Sequence, residues 1–253
     1  MRENIIIKSE AEIKLMQEGG KKLARVKHAL KVAVKPGITA MEIEILANKS
    51  IEAEGGEASF KKVEGYKWAT CININDGIVH GIPGKDLVFK KGDLVSVDVG
   101  MYYKKFHTDT SFSVSLSSDP EINDFLKVGL NALKKAIAKA RSGNRIWDIS
   151  AEMEKTLEAA KLTPIKALVG HGVGRDLHES PQIPCFTDGW ERESSLEIPI
   201  GAVLAIEAMY AKGGSELKVA ADGWTISTSD GKISGLFEET VAVTKNGPLV
   251  LTD

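Results

Sequence analysis

Polar and apolar residues alternate in two runs between Val95 and Val114. Val95, Val97 and Val99 fall on one side of an extended chain, with Ser96 and Asp98 on the other. Thr108, Thr110, Phe112 and Val114 likewise oppose Asp109, Ser111 and Ser113. A period of two among β-branched and aromatic residues predicts strands. Gly100 and the run Tyr102-Tyr103-Lys104-Lys105 predict the bend of a hairpin between them. Each strand carries one carboxylate, Asp98 or Asp109, at a position whose face should be buried. A buried carboxylate is costly unless it is paired or holds a cation. On a solvated face the two aspartates need no explanation, and the hairpin alone leaves both readings open.

Helical periodicity frames this hairpin. Ser9-Glu10-Ala11-Glu12 is a capping box, and Ile13, Met16, Leu23, Val26 and Leu30 then share one face until Pro36-Gly37. A second box, Thr39-Ala40-Met41-Glu42, opens a helix that buries Ile43, Leu46 and Ile51 and stops at Gly55-Gly56. Loops and short strands follow, containing Thr70-Cys71-Ile72-Asn73-Ile74-Asn75-Asp76-Gly77 and His80-Gly81-Ile82-Pro83-Gly84. After the hairpin the plan recurs. Ser118-Asp119-Pro120-Glu121 caps a helix carrying Phe125, Val128, Leu133 and Ile137, and Ser142-Gly143-Asn144 breaks it. A further helix is predicted over about 146–160, then a short strand over 165–169, a glycine-rich segment with two histidines, and several strands.

This recurrence points to an internal repeat. Gly37-Ile38-Thr39-Ala40-Met41-Glu42-Ile43 aligns with Gly143-Asn144-Arg145-Ile146-Trp147-Asp148-Ile149. Gly92-Asp93-Leu94-Val95-Ser96-Val97-Asp98 aligns with Gly201-Ala202-Val203-Leu204-Ala205-Ile206-Glu207, each closing an alternating strand with a carboxylate six positions after the glycine. Either match alone is within the reach of chance; both in order, each preceded by a helix pair, predict two related α+β halves, about 9–116 and 118–245. Asp98 and Glu207 should then face each other across a pseudo-two-fold axis. The counterpart of Asp109 should be Glu238 or Glu239 in a late strand, and alternation lets only one of them point inward. Four converging carboxylates repel one another, so they stay partly protonated or hold cations. One imidazole added to them makes the mixed oxygen and nitrogen field of a dinuclear metal site.

Composition narrows the classes. The 253 residues are 43% hydrophobic and 27% charged, ordinary for a globular protein with a sizeable core. A net charge of −2 supplies no excess of Lys or Arg for nucleic acid or an anionic membrane. Two cysteines, Cys71 and Cys185, make no disulfide framework. The apolar run near the N-terminus is too short for a signal peptide, and a cytoplasmic protein without membrane contact is expected. Of the five histidines, His28 falls on an amphipathic helix as a surface residue. His107 is expected one position off the inward phase of Asp109, in a structural role. His171 and His178 lie in Gly170-His171-Gly172-Val173-Gly174-Arg175-Asp176-Leu177-His178-Glu179, whose glycines permit close backbone approach. Their spacing of seven matches neither a zincin helix nor a zinc finger.

This segment, continued by Pro181-Gln182, resembles the signature of the type I methionine aminopeptidases. The resemblance extends to Val34-Lys35-Pro36-Gly37, Cys71 to Asn75, His80 to Pro83, Gly92-Asp93 with Asp98, Thr108-Asp109-Thr110, Ile206-Glu207, Asp222-Gly223-Trp224 and Phe237-Glu238. It implies an α+β pita-bread (creatinase/aminopeptidase) fold: two pseudo-symmetric halves around a curved antiparallel sheet, helices on the outer face, residues 1–253 forming one catalytic domain. It also implies removal of the initiator methionine from nascent proteins and peptides with a small second residue, by a metal-bridging hydroxide attacking the scissile carbonyl. Carried over by position, Asp98 chelates one metal, Asp109 and Glu238 bridge both, and His171 and Glu207 complete the second. The family pattern, aromatic-Glu-His-Thr, selects Glu238 over Glu239. His178 stabilises the developing oxyanion, His80 contacts the substrate near the scissile amide, and Glu207 shuttles a proton. Tyr66, Cys71, Leu177 and Trp224 take the family positions of the methionine pocket; each, read alone, is ordinary core packing. Asn75, Gly77 and Ser234 fall on a loop that holds one Na or K ion.

The implied cofactors are two divalent ions, with Co, Mn, Fe(II) and Zn all compatible with the ligands. The implied partners are nascent chains beginning with Met, with the ribosome as a candidate, and the implied state is a monomer. Departures from the family are Ala208 for proline, Leu236 for glutamine, Glu239 for histidine, and Leu177 and Val63 where aromatics are common. None removes a ligand; Glu239 is expected to add negative charge beside the metals. Two competing readings are an Xaa-Pro peptidase, whose members usually carry an extra N-terminal domain, and a non-catalytic relative that binds protein or RNA.

Overall fold

A computed structural model describes residues 4–253. Helices α1 (Glu10–Ala33) and α2 (Ala40–Ala53) lead into β1 (Glu57–Ala58), β2 (Thr70–Ile74), β3 (Gly77–Val79) and the hairpin of β4 (Leu94–Tyr103) and β5 (Phe106–Ser115). Next come α3 (Pro120–Lys139) and α4 (Ile146–Ala159), then β6 (Thr163–Pro164), β7 (Val169–Gly172), β8 (Glu179–Pro184), β9 (Val203–Ala211), β10 (Leu217–Val219), β11 (Ile226–Thr228), β12 (Ser234–Thr244) and β13 (Gly247–Val250). Both predicted capping boxes form: Ser9 and Thr39 accept the amides of Glu12 and Glu42, whose carboxylates reach back to the cap amides. Asp119 caps α3, with Pro120 in the first turn, where a missing N–H costs nothing.

The main sheet runs β1-β4-β5-β12-β9-β7-β8, with β2 added to β4, β13 to β12 and β6 to β9. Neighbours are antiparallel, and β10-β11-β3 make a separate small sheet. Helices cover one side. Leu23, Val26, Leu30, Ile43 and Ile51 pack with Val95, Val97, Val99 and Phe112; Phe125, Leu133, Ile149 and Met153 pack with Leu204, Ile206 and Tyr210. With those residues facing the helices, alternation turns Asp98, Asp109, Glu207 and Glu238 to the other side. This α+β layering is the one the sequence predicted.

Three expectations change. The hairpin bends inside the expected run, at Lys104-Lys105, both left-handed (φ 47° and 71°), the conformation of a two-residue turn. Gly100, expected in the same bend, lies within β4, where a Cβ would come 2.8 Å from Ser59 Cβ. Neither Asp98 nor Glu207 closes its strand: β4 continues to Tyr103 and β9 to Ala211. The strand predicted over 165–169 is split, because the ladder belongs to Thr163-Pro164 against β9 and resumes at Val169 in β7. Ile165 is buried in the core and makes one bond to Met209 O (2.9 Å) without joining a strand.

Candidate metal centre

Five neighbouring strands bring the five ligand-type side chains together. Asp98 on β4 is opposite Ser111 on β5, Ser111 is opposite Glu238 on β12, and Glu238 is opposite Glu207 on β9. Asp109 sits two residues from Ser111 on the same face, and His171 on β7 pairs with Ala205 of β9. All five line one cavity of about 550 Å³. Ligand atoms of Asp109, His171 and Glu238 lie within 4.8 Å of one another. A close approach makes this possible: a Cβ on Gly170 would stand 2.6 Å from Ala205 O and 3.3 Å from Glu207 Cγ.

The electrostatics are those of an uncompensated acidic cluster. Desolvation first, then the neighbouring carboxylates Asp109 and Glu207, push Asp98 well above the ordinary carboxyl range. Glu238 is raised by burial and by Asp109, Glu207 and Asp98; Glu207 by burial and Asp109; Asp109 by burial. Among the described residues no Lys or Arg forms an ion pair with any of the four. Asp98 Oδ1 is buried without a hydrogen-bond partner. Such an orphaned acceptor is expensive to bury, and a cation supplies what it lacks. Burial holds His171 neutral, its pKa down to about 4. Its Nδ1 lies 2.8 Å from Gly172 O; a carbonyl only accepts, so Nδ1 carries the proton and Nε2 keeps its lone pair. Buried carboxylates with one neutral imidazole suit divalent transition ions.

Part of the remaining cavity wall is apolar and aromatic. Phe60, Tyr66, Cys71 and Leu177 form one buried cluster, flanked by Val63, Trp68 and Trp224. The Tyr66 ring stands edge-to-face with Trp224 (5.0 Å) and Phe60 (6.5 Å), while its hydroxyl donates to Thr70 O (2.9 Å). Phe60 has no counterpart among the residues anticipated from sequence. It sits on a single 3-10 turn (Phe60–Lys62) without periodicity, and only its aromatic character could have flagged it.

His80 and His178 line the same cavity. His80 holds a left-handed backbone (φ 57°), a strained state for a non-glycine residue that tends to mark functional positions. Its ring lies 6.4 Å from Trp224, and the His178 ring 4.5 Å from His171. Surrounding protein lowers both pKa values, with His178 adding to the effect on His80. Beside His178, Glu179 is buried against Lys8 and accepts the Arg175 amide (2.8 Å), a contact across the chain that no local pattern announces.

Other residues take different places. Asn75, Gly77 and Ser234 meet away from this cavity, where Ser234 N donates to Asn75 O and Ser234 Oγ to Gly77 O, both at 2.8 Å. His28 is exposed. His107 does not have the expected offset: two residues from Asp109, it shares that strand face, where it is buried with Nδ1 2.9 Å from Ser59 Oγ. Glu239 points to the helix side, paired with Lys27, yet its charge still adds to the upward push on Glu238.

Residues 14–245 match the profile of metallopeptidase family M24. A methionine aminopeptidase of Clostridium perfringens is 39% identical over 250 residues, covering 98% of each chain. The crystal structure of a methionine aminopeptidase from Thermotoga maritima superposes with a TM-score of 0.95 at 37% identity, over 99% of this chain and 100% of that one. Prolidase from Pyrococcus furiosus has a TM-score of 0.76 at 20% identity, which reflects the shared fold, and 65% of its length is covered.

Proposed function

This chain belongs to metallopeptidase family M24, and we propose how its residues remove the N-terminal methionine for which its relatives are named. It is a divalent-metal aminopeptidase with the pita-bread fold. The observation that carries the residue assignment is the convergence of Asp98, Asp109, His171, Glu207 and Glu238 in one cavity, with a partnerless buried oxygen on Asp98. These five would hold two ions, Asp109 and Glu238 shared between them. When bound, divalent ions supply acidified water near neutral pH and Lewis acidity at the scissile carbonyl. The protein side chains do the rest. Tyr66, Cys71, Leu177, Trp224 and Phe60 take up the unbranched thioether and exclude water from it. His178 donates to the oxygen on which charge develops, His80 fixes the scissile amide, and Glu207 passes a proton toward the leaving amine.

The reading extends to the whole chain as one catalytic unit, residues 1–253, in halves of about 9–116 and 118–245. Each half has a helix pair ahead of the strands that carry its carboxylates. It further extends to a monomer in the cytoplasm that meets nascent chains at the ribosome, selects a small second residue and holds one Na or K ion at Asn75, Gly77 and Ser234. Two buried free cysteines and no helix, among the described residues, long and apolar enough to cross a membrane support that setting. The test is release of methionine from Met-Ala-Ser by chelator-stripped protein reloaded with Co, Mn, Fe(II) or Zn. Reloading should restore turnover, and Asp109→Ala should lower it by roughly a thousandfold or more. No turnover with any ion, or preferential cleavage of Ala-Pro peptides, would overturn the reading.

A further inference from the structure

A second polar cluster lies behind the metal-facing row, on the helix side of the sheet. Glu239 pairs with Lys27 of α1, their side chains 17% and 16% exposed. The Glu239 carboxylate also accepts the Thr252 hydroxyl, and its Oε2 lies 3.1 Å from Thr110 Oγ1. Each of these hydroxyls leads back to a metal-facing residue. Thr110 Oγ1 shares its one proton between Glu239 Oε2 and Glu238 O, the latter at 2.9 Å. Thr252 Oγ1 accepts Thr240 N (3.0 Å), and Thr240 Oγ1 donates to Asp109 O (2.8 Å) while accepting Asp109 N (2.9 Å). The Glu238 main chain therefore ends on a hydroxyl that also touches Glu239, and that of Asp109 ends on Thr240, whose own N–H reaches Glu239 through Thr252.

The location of this network gives it consequence. β12 is laddered to β9 from Ser234 through Ala242, but its register with β5 is restricted to Glu238 opposite Ser111 and Glu239 opposite Thr110. Elsewhere along that seam side-chain hydroxyls occupy the bridging positions, including Ser113 Oγ, which donates to Leu236 O (2.8 Å) and accepts Leu236 N (3.1 Å). The two-residue ladder fixes the seam at Glu238, and one step beyond it the Asp109 main chain is held by the Thr240 hydroxyl instead of a ladder bond.

We propose that Glu239, held by Lys27, is a positioning residue for the metal centre, orienting Thr110 and Thr252 so that the β5–β12 seam keeps Asp109 and Glu238 at the separation two ions require. The proposal rests on the assignment of Asp109 and Glu238 as ligands. It is tested by calorimetric titration of metal-free protein with Mn(II), comparing wild type with Glu239→Ala, Glu239→Gln, Thr252→Val and Asp109→Ala, each checked for native circular dichroism. Glu239→Ala and Thr252→Val should weaken metal binding by about tenfold or more, the scale of losing an outer hydrogen-bond partner of a ligand. In the metal-saturated enzyme they should lower kcat and leave KM for Met-Ala-Ser unchanged. Glu239→Gln keeps an acceptor for both hydroxyls and should restore most of the affinity. Wild-type affinity in Glu239→Ala and Thr252→Val, even with a lowered Tm, overturns the proposal, because a merely structural contact would behave that way. Should Glu239→Ala fail to fold, Thr252→Val near the chain end decides alone. Asp109→Ala separates the two levels: if it binds Mn(II) as wild type does, the ligand assignment itself fails.

Discussion

Asp98 and Tyr66 share one cavity but make opposite demands on it. Asp98 has a buried oxygen with nothing to accept from, whereas the Tyr66 hydroxyl is already satisfied by Thr70 O and only the ring is offered to the cavity. A pocket for a neutral, unbranched side chain needs such a finished surface, since an unsatisfied polar group there would favour water over the thioether. Tyr66→Ala should therefore cut kcat/KM for Met-Ala-Ser by about tenfold to a hundredfold, the worth of one to three kcal/mol of apolar contact. Metal affinity should stay unchanged because the Tyr66 hydroxyl is bonded to Thr70 O and not to a carboxylate. Parallel loss of metal binding in that variant would contradict this separation of roles.

The elements place these residues, and β7 is the tightest case. Gly170 lets β7 approach β9 so closely that a methyl group would press on Ala205 O at 2.6 Å, a backbone atom that cannot step aside. Gly170→Ala should destabilise by about 1–3 kcal/mol, as overpacking does, read from the urea midpoint, and should lower metal affinity because His171 moves with the strand. At this scale much was visible beforehand. The capping boxes at Ser9 and Thr39 and the alternation around Asp98 and Asp109 are local signals, and local forces decide them. What sequence reading missed was decided at a distance. The turn at Lys104-Lys105 lies within the run expected to bend, although it lacks the Gly or Asn that usually marks left-handed residues; Gly100, expected in the same bend, stands inside β4, where a Cβ would press on Ser59. Ile165 is apolar for the core, but ladder partners on β9 placed the strand at Thr163-Pro164. Glu239 follows its neighbour by one residue, and only the position of α1 shows that its charge is met by Lys27.

For the whole molecule, the acidic cluster sets how stability responds to pH and metal. Without metal, the folded protein holds protons on carboxyls that the unfolded chain has released above about pH 4. Two buried histidines pull the other way, since burial lowers His171 and His107 to about 4, but only up to their ordinary value near about 6.5. Above that pH the folded state binds more protons than the unfolded one through the carboxyls alone, so stability falls as pH rises, by about 1.4 kcal/mol per pH unit for each such proton. Chelator-treated protein should show a urea midpoint that drops from about pH 6.5 to 8.5, while saturating Mn(II) displaces those protons and flattens the trend. A midpoint that rises with pH in stripped protein would refute this account. The same molecule ties two outlying residues to the centre: Lys8 is buried against Glu179 beside His178, and Thr252 bonds to Glu239 behind Glu238. Proteolytic wear on peripheral segments is usually harmless. Here a cut that detaches Lys8 or Thr252 would reach the catalytic centre, so an ageing preparation should lose metal before it loses its fold.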